Sequence, residues 1–211
     1  SDFKRVVLPP WSYVHEQDKI KNRWPDAEKF ILENELNELF GPKAAKLGIV
    51  LQGGMYNGVI RALQRLGLAD VYGNSDVPLY VLNVTYPLVQ SEFEAFCEGK
   101  ENVLVVEEGQ PDHIEQQLGS FLYKSGRNVK LHGKDVLPMA GEYTGAVMLD
   151  GVTAFLKNAA PEMLPDHVRA PNMDAPAIPD LSKTVPIRPP GFCTGCPERP
   201  IFAAMKLTQE K

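Results

Sequence analysis

The chain has 211 residues, of which 44% are hydrophobic and 23% charged, and its formal net charge is −5. These values suit a soluble globular protein with one large domain, or one domain and a long tail. The negative net charge argues weakly against nucleic acid as the main partner, because phosphate binding needs clustered lysine and arginine and the sequence has no basic stripe. No apolar run of about 18 residues predicts a membrane span, and no signal peptide is recognisable. Three cysteines do not make a disulfide framework, so we expect a reduced cytoplasmic protein.

Residues 1–44 are predicted to form an N-terminal linker that contains one amphipathic helix. The helix is predicted over Pro25–Phe40, where apolar side chains recur with a period of about 3.6 residues. The apolar face consists of Leu32, Leu36, Leu39 and Phe40. Phe30 and Ile31 lie off this stripe.

Short apolar runs alternate with amphipathic segments through residues 45–160. The predicted strands are Lys46–Gly54, Pro78–Val84, Asn102–Glu108 and Asn128–Gly133. The predicted helices are Met55–Leu68, Leu88–Gly99, Pro111–Gly126 and Thr144–Ala159. Such alternation predicts a three-layer α/β fold, in which helices cover both faces of a mostly parallel sheet.

The composition changes after this domain. Ten of the eighteen prolines lie between residues 161 and 200, so residues 161–192 are predicted to form an extended, Pro-rich linker. Residues 193–211 contain a C-x-x-C motif and one further predicted helix. An α/β domain followed by a linker and a single helix predicts a chain cut from within a larger protein.

The stretch LQGGMYNG joins the first predicted strand to its helix. A glycine turn at a helix N-terminus presents backbone N–H groups that can bind phosphate, so the candidate cofactor-binding residues are Gly53, Gly54, Tyr56 and Asn57. The stretch matches neither the dinucleotide fingerprint nor the Walker A pattern. The competing interpretation is a tight turn that only glycine fits.

An acidic cluster lies at the end of the third strand and the start of the next helix; it comprises Glu107, Glu108, Asp112, His113 and Glu115. These side chains could perform acid–base chemistry or bind a metal. The simpler interpretation is that they favour the helix dipole and that one of them caps the helix; a contact between domains is a third. The four histidines share no metal-ligand spacing and no Ser/His/Asp order is found, so we predict no catalytic residue.

Cys193 and Cys196 form the C-x-x-C motif. Two cysteines at this spacing can ligate one metal ion or cluster, but they supply only half of the ligands. Cys97 lies in a predicted helix and is expected to be a small core residue. A thioredoxin-type redox pair normally follows a strand in a compact fold, whereas here a linker precedes it. Within this chain alone, an inert exposed pair is the simplest interpretation.

The stretch GFCTGCPERPIFAAMK resembles the C-P-G-C-P-H-R segment that opens the thiamine-diphosphate-binding domain of indolepyruvate:ferredoxin oxidoreductases. These enzymes belong to the wider 2-oxoacid:ferredoxin oxidoreductase group. Upstream, the LGIVLQGG strand, the T-Y-P-L turn and the V-V-E-E strand are similar to the transketolase C-terminal-like domain of the family's alpha subunit. The resemblance spans Gly48–Lys206. Thr194 stands where the family usually has proline, and Glu198 where it often has histidine.

The resemblance implies an internal fragment of the alpha subunit, with residues 193–211 opening a truncated thiamine-diphosphate domain. The G-D-G…N signature of that domain is absent, since the nearest string, Leu149–Thr153, lies in a predicted helix. The whole enzyme would decarboxylate an aryl 2-oxoacid on thiamine diphosphate and magnesium. It would pass electrons through iron–sulfur clusters to ferredoxin and transfer the acyl group to coenzyme A. Cys193 and Cys196 would ligate a cluster only in the longer protein.

The fragment itself is expected to bind none of these cofactors and to be inactive alone. Its expected partners are the remaining domains or subunits of the enzyme and a second copy in a homodimer. Two alternatives remain open. One is a transketolase-type domain of another thiamine-diphosphate enzyme; the other is a free-standing module that binds a nucleotide or coenzyme A.

Overall fold

The computed structural model describes residues 5, 7–109, 111–169, 191, 196 and 198–209. The chain divides into two units, residues 1–171 and 172–211. The strands are β1 (Glu38–Phe40), β2 (Leu47–Gln52), β3 (Leu79–Leu82), β4 (Asn102–Val106) and β5 (Lys130–His132). The helices of the first unit are α1 (Trp11–Asp18), α2 (Trp24–Glu33), α3 (Tyr56–Arg65), α4 (Gln90–Phe96), α5 (His113–Ser125), α6 (Gly145–Ala159) and α7 (Asp166–Arg169). A π-helical turn, Lys19–Arg23, joins α1 to α2, and 3-10 turns span Gly53–Met55 and Pro161–Met163.

The five strands form one sheet in the order β1-β3-β2-β4-β5. β2 to β5 run parallel, and β1 pairs antiparallel with β3 at one edge. The mostly parallel α/β fold is therefore confirmed. After β2 the chain crosses to β3 on one side of it, and after β3 it crosses back to β4 on the other side. The direction of strand addition therefore reverses between β2 and β4, and the carboxyl ends of these two strands flank that point. Open α/β sheets commonly bind ligands at such a point.

Alternate side chains of the strands point to opposite faces of the sheet. One face packs against α3 and α6 through Leu47, Ile49, Leu51, Leu79, Val81, Leu104 and Val106. The other packs against α4 and α5 through Val50, Tyr80, Leu82, Val103 and Val105. The prediction of three layers is thus confirmed, and both faces of the central strands are dry.

The helix predicted over Pro25–Phe40 is wrong in its C-terminal part. Glu35 adopts a left-handed backbone conformation, with φ of 47°, which ends α2. The amide of Leu36 donates to the carbonyl of Ile31 at 3.1 Å, and the amide of Glu35 donates to the carbonyl of Leu32 at 3.2 Å. This pair of bonds is a Schellman motif, which satisfies the last carbonyls of the helix.

The end of that stretch instead forms the edge strand β1, which contains Leu39 and Phe40. α2 buries Ile31, which is 3% exposed, whereas Leu32, placed on the predicted apolar face, is 41% exposed. The sheet therefore begins within residues 1–44, the segment that the sequence assigned to a linker and a helix.

A buried polar cluster holds β1 against the rest of the sheet. Asn37, directly before β1, donates from Nδ2 to Oε2 of Glu92 at 2.8 Å, and the hydroxyl of Tyr80 donates to the same oxygen at 2.8 Å. The amide of Val84 donates to Oδ1 of Asn37 at 3.0 Å. Burial, together with the neighbouring Glu92 carboxylate, raises the pKa of Tyr80.

Two further details refine the predicted helices. Cys97 caps the end of α4 and is buried in the core, as expected for a small core residue, and burial raises the pKa of its thiol to about 12. Pro111, predicted in the first turn of α5, lies before the helix, whose N-cap is Asp112.

The start of the predicted linker 161–192 belongs to the packed unit. Leu164 is buried in the core, and Met163 and Val168 pack against it. In the second unit, α8 (Arg199–Gln209) confirms the helix predicted after the C-x-x-C motif. None of the described helices is long and apolar enough to cross a membrane.

Candidate functional site

The carboxyl ends of β2 and β4 border a cleft of about 680 Å³, which we call the carboxyl-edge cleft. It is lined by Gln52, Thr85, Tyr86, Glu107, His113, Ile114, Gln116 and Gln117. The cleft lies at the point where the direction of strand addition reverses, and amide and carboxylate groups line it. Both features are typical of ligand-binding sites in open α/β sheets.

Glu107 is the charged residue at the base of this cleft, and it is only 5% exposed. Both of its carboxylate oxygens accept a hydrogen bond from the amide of Ile114 at 3.0 Å, and Oε2 also accepts from the amide of Glu115 at 3.2 Å. Asp112 holds the N-cap position of α5 but makes no capping hydrogen bond. The expectation that one acidic residue caps this helix is confirmed, and the capping residue directly follows β4.

Lys134 attaches the loop of residues 133–143 to the same edge of the sheet. Nζ of Lys134 donates to the carbonyl of Glu107 and, at 2.7 Å, to the hydroxyl of Tyr143. The amide of Tyr143 donates to Oε1 of Glu108, whose own amide donates to Oε1 of Gln52 at 2.9 Å. The polar groups at the ends of β2 and β4 are thus bonded to each other.

Glu115 lies behind the cleft. Its Oε2 accepts from the amide of Lys134 at 3.0 Å. The carboxylate lies so close to the backbone that a Cβ at Gly133 would be 2.1 Å from Oε2, so a larger residue there would displace the carboxylate from the amide of Lys134. Burial raises the pKa of Glu115, and the nearby charges of Asp112, Asp135 and Glu107 raise it further. This carboxylate is engaged with the backbone, and it does not line the cleft.

The sequence pattern predicted this acidic cluster but not the residues that hydrogen-bond to it. Lys134 and Tyr143 lie in a polar loop with no recognisable motif, so only the folded chain shows that they meet Glu107 and Glu108. Among the described residues, no group of three or more His, Cys, Asp or Glu could hold a metal ion. The arrangement is suited to holding α5 and the loop of residues 133–143 in place.

The predicted glycine turn joins β2 to α3. A Cβ at Gly53 would lie 2.6 Å from Oδ1 of Asn83, so a larger residue there would displace the Asn83 side chain. A Cβ at Gly54 would meet no atom within 4 Å, and neither glycine has a positive φ. Among the described residues, no contact therefore explains the glycine at position 54.

The other two predicted cofactor-binding residues differ in their surroundings. The ring of Tyr56 packs against the ring of Phe40, with 5.3 Å between their centroids, so it contributes to the core. Asn57 is exposed at the start of α3. All four predicted residues lie on one turn, and ligand binding by this turn stays a prediction.

Cys193 and Thr194 lie outside the described residues, so the geometry of the C-x-x-C motif is not described. Cys196 is half-buried, and its thiol is free. Cluster ligation by Cys193 and Cys196 therefore stays a prediction, as does any role for Glu198.

The sequence model of the indolepyruvate oxidoreductase domain matches residues 37–157, more than half of the chain. The chain belongs to the indolepyruvate oxidoreductase domain family. The match begins at Asn37, directly before β1, and ends within α6, so the family domain coincides with the sheet and the helices on its two faces.

Several relatives in this family are similar over most of the chain. Indolepyruvate oxidoreductase subunit IorA of Pyrococcus abyssi is 31% identical over 191 residues, which are 88% of this chain and 27% of that protein. The subunit of the same name from Methanothermobacter thermautotrophicus is 32% identical over 182 residues, 85% of this chain and 26% of that protein. The chain thus spans about a quarter of the length of these curated relatives.

Among solved structures, the chain is similar to a 2-oxoglutarate:ferredoxin oxidoreductase from Magnetococcus marinus. That structure has 2-oxoglutarate, coenzyme A and succinyl-CoA bound. The sequence identity is 17% and the TM-score 0.44, over 71% of this chain and 24% of that one.

The described residues of this family domain do not fit magnesium and thiamine diphosphate. Leu149–Thr153, the string closest to a G-D-G…N signature, lies within α6, as predicted. Val152 is buried in the core, and Asp150 is exposed on the opposite side of the helix. A diphosphate-bound magnesium ion needs several converging oxygen ligands, which a single exposed carboxylate on a helix does not provide.

Proposed function

We propose that this chain forms a structural domain of the alpha subunit of an indolepyruvate:ferredoxin oxidoreductase and performs no catalysis itself. The observation that carries the proposal is the family match over residues 37–157. The carboxyl-edge cleft supports the second half of the proposal. The buried carboxylate of Glu107 caps α5, and the ammonium group of Lys134 holds the neighbouring loop. Both side chains are therefore engaged within the domain and are not available to act on a substrate.

The whole enzyme, on this proposal, oxidatively decarboxylates an aryl 2-oxoacid to an acyl-CoA and transfers the electrons to ferredoxin. Thiamine diphosphate, magnesium, iron–sulfur clusters and coenzyme A act in the longer protein, in which Cys193 and Cys196 ligate a cluster. The domain described here contacts the remaining domains or subunits in the cytoplasm, and a homodimer is part of the proposal.

The test compares the 211-residue chain with the longer protein that contains it, purified together with its partner subunits. Both are assayed without oxygen for reduction of a viologen dye in the presence of indolepyruvate, coenzyme A, thiamine diphosphate and magnesium. We expect 2-oxoacid-dependent reduction by the longer protein alone. Reduction by the 211-residue chain would contradict the structural role, and none by the longer protein would contradict the enzyme assignment.

The open position at Gly54 favours a second candidate, in which the turn Gly53–Asn57 binds a nucleotide or coenzyme A. Gly54→Ala should not lower stability, because the added Cβ meets no atom within 4 Å and the backbone has no positive φ. Gly145→Ala is a matched control, because its Cβ also meets no atom within 4 Å. Calorimetric titration with coenzyme A and with ATP decides the matter. Heat that is lost only in Gly54→Ala supports the candidate, and no heat at millimolar ligand contradicts it.

A further inference from the structure

The opposite edge of the sheet, where β2, β3 and β4 begin, carries a second cleft of about 750 Å³, which we call the amino-edge cleft. Its walls are mostly apolar and include Leu39, Phe40, Pro42, Pro78, Ala95 and Phe96. The volume lies in the range of small-molecule sites, roughly 300–1,000 Å³, and such sites combine apolar walls with a few placed polar groups.

Lys100 is the polar group that distinguishes this cleft. It lines the cleft although it is only 7% exposed. Its side chain reaches across β2 because residue 48 is a glycine: a Cβ there would lie 2.9 Å from Cε of Lys100 and 2.6 Å from Cζ of Phe96. Nζ lies 4.6 Å from the centroid of the Phe96 ring, a cation–π contact that compensates only part of the lost hydration.

No described residue neutralises this ammonium group, since none of the ion pairs or side-chain hydrogen bonds of the described residues includes Nζ of Lys100. Lys46, at the same cleft, is paired with Glu101 at 3.0 Å. Lys43 and Glu98 are the other charged residues of the lining. Among the described residues no fully buried side-chain nitrogen is without a hydrogen-bond partner, so Nζ of Lys100 keeps contact with solvent at the cleft, although burial of the side chain lowers its pKa. Buried charges are normally paired, and an anion in the cleft would supply the partner that this ammonium group lacks among the described residues.

We propose that the amino-edge cleft binds a small organic anion, whose carboxylate pairs with Lys100 and whose apolar body lies against Phe40 and Phe96. The uncompensated positive charge selects an anion, and the apolar walls select a ligand with a hydrophobic body. The proposal is independent of the function proposed above, because it concerns the opposite edge of the sheet and none of the residues used there.

The test uses two probes of nearly the same shape, 4-phenylbutanoate and 4-phenylbutanamide, in which a neutral amide replaces the carboxylate. Binding to the isotope-labelled chain is followed by the backbone amide signals of residues 44–46 and 98–100 in two-dimensional NMR. We expect saturable shifts with the carboxylate and a dissociation constant about tenfold or more higher for the amide, the effect of one charge-assisted hydrogen bond.

Variants of Lys100 test whether this side chain supplies the positive charge that pairs with the carboxylate of the probe. Lys100→Met keeps the apolar stem and should weaken binding of the carboxylate about tenfold while leaving the amide unchanged. Lys100→Arg should retain the preference for the carboxylate, which shows that the site is intact when the charge is kept. Lys124→Met, which removes an exposed lysine on α5, is the control and should bind as the wild type does.

Three results would overturn the proposal. One is equal affinity for the carboxylate and the amide, and another is unchanged binding of the carboxylate by a folded Lys100→Met variant. The third is an absence of saturable shifts at residues 44–46 and 98–100 with millimolar 4-phenylbutanoate.

Discussion

The role of Glu107 can be tested by comparing it with Asp112, the residue at the N-cap position of α5. Glu107→Ala leaves the amides of Ile114 and Glu115 without the acceptor that they have in the folded chain. Asp112→Ala removes only one exposed side-chain contact, with Nε2 of Gln116 at 2.9 Å. Both substitutions delete a carboxylate beside the same helix end, but only Glu107 is buried and accepts from the helix amides.

The expected magnitudes follow from these contacts. A hydrogen bond to a charged group contributes about 1.5–3 kcal/mol, and the loss of a helix cap costs about 0.5–2 kcal/mol. Water entering the cleft would satisfy part of the loss, so we expect Glu107→Ala to lower the free energy of unfolding by about 2–4 kcal/mol. Glu107→Gln keeps one acceptor oxygen and should lose about 1–2 kcal/mol. Asp112→Ala should lose no more than about 0.5 kcal/mol.

Urea denaturation followed by far-ultraviolet circular dichroism measures these differences, and the slope of the transition should not change. A loss in Asp112→Ala as large as in Glu107→Ala would refute the assignment of the cap. A gain in stability in Glu107→Gln would refute the structural role, because buried polar groups kept for function often lower stability and their removal raises it.

Three further predictions concern the rest of the domain. Asn37→Ala should lower the free energy of unfolding by about 2–3 kcal/mol in urea denaturation, because the side-chain hydrogen bonds to Glu92, Tyr80 and the amide of Val84 are lost; a loss below about 0.5 kcal/mol would contradict the anchoring of β1. Gly48→Ala should cost about 1–3 kcal/mol by overpacking against Phe96, and an unchanged melting temperature would contradict this contact. The pKa of Glu115 is raised in the folded chain, so folding is penalised by its charge above that pKa and not at low pH. The stability of Glu115→Gln relative to the wild type should therefore increase between about pH 4 and pH 7, and a constant difference in urea midpoints would contradict the shift.

Most of the sheet could be predicted because its signal is local. β2 and β4 are buried on both faces, so Ile49 and Leu104 stand in continuous apolar runs that are typical of parallel strands. β1 could not be predicted in this way, since the spacing of Leu36, Leu39 and Phe40 fits a helix equally well. The choice is made by distant residues: Asn37 reaches Tyr80, which is 43 positions away, and Glu92, which is 55 positions away.

The same reasoning explains what the sequence revealed about the site. The acidic residues around Glu107 stand out because they follow a strand and precede a helix. Which carboxylate caps the helix depends on how β4 and α5 are placed in space, and that is set by the core. Lys100 carries no signal at all in the sequence, where it is one lysine in a polar loop. Its burial depends on Gly48, in a strand that precedes it by some fifty residues.

The two edges of the sheet differ in whether their buried charged groups have hydrogen-bond partners. At the carboxyl edge, where open α/β sheets commonly act on ligands, Glu107 is satisfied by backbone amides and Lys134 by a carbonyl and a hydroxyl. At the amino edge, the side chain of Lys100 is nearly buried, and its ammonium group contacts the ring of Phe96 without an ion pair or side-chain hydrogen bond to a described residue. A satisfied charge gains little from a ligand, whereas an uncompensated one gains a full electrostatic partner. The capacity of this domain to recognise an anion therefore lies at the edge opposite to the one that the fold alone would suggest.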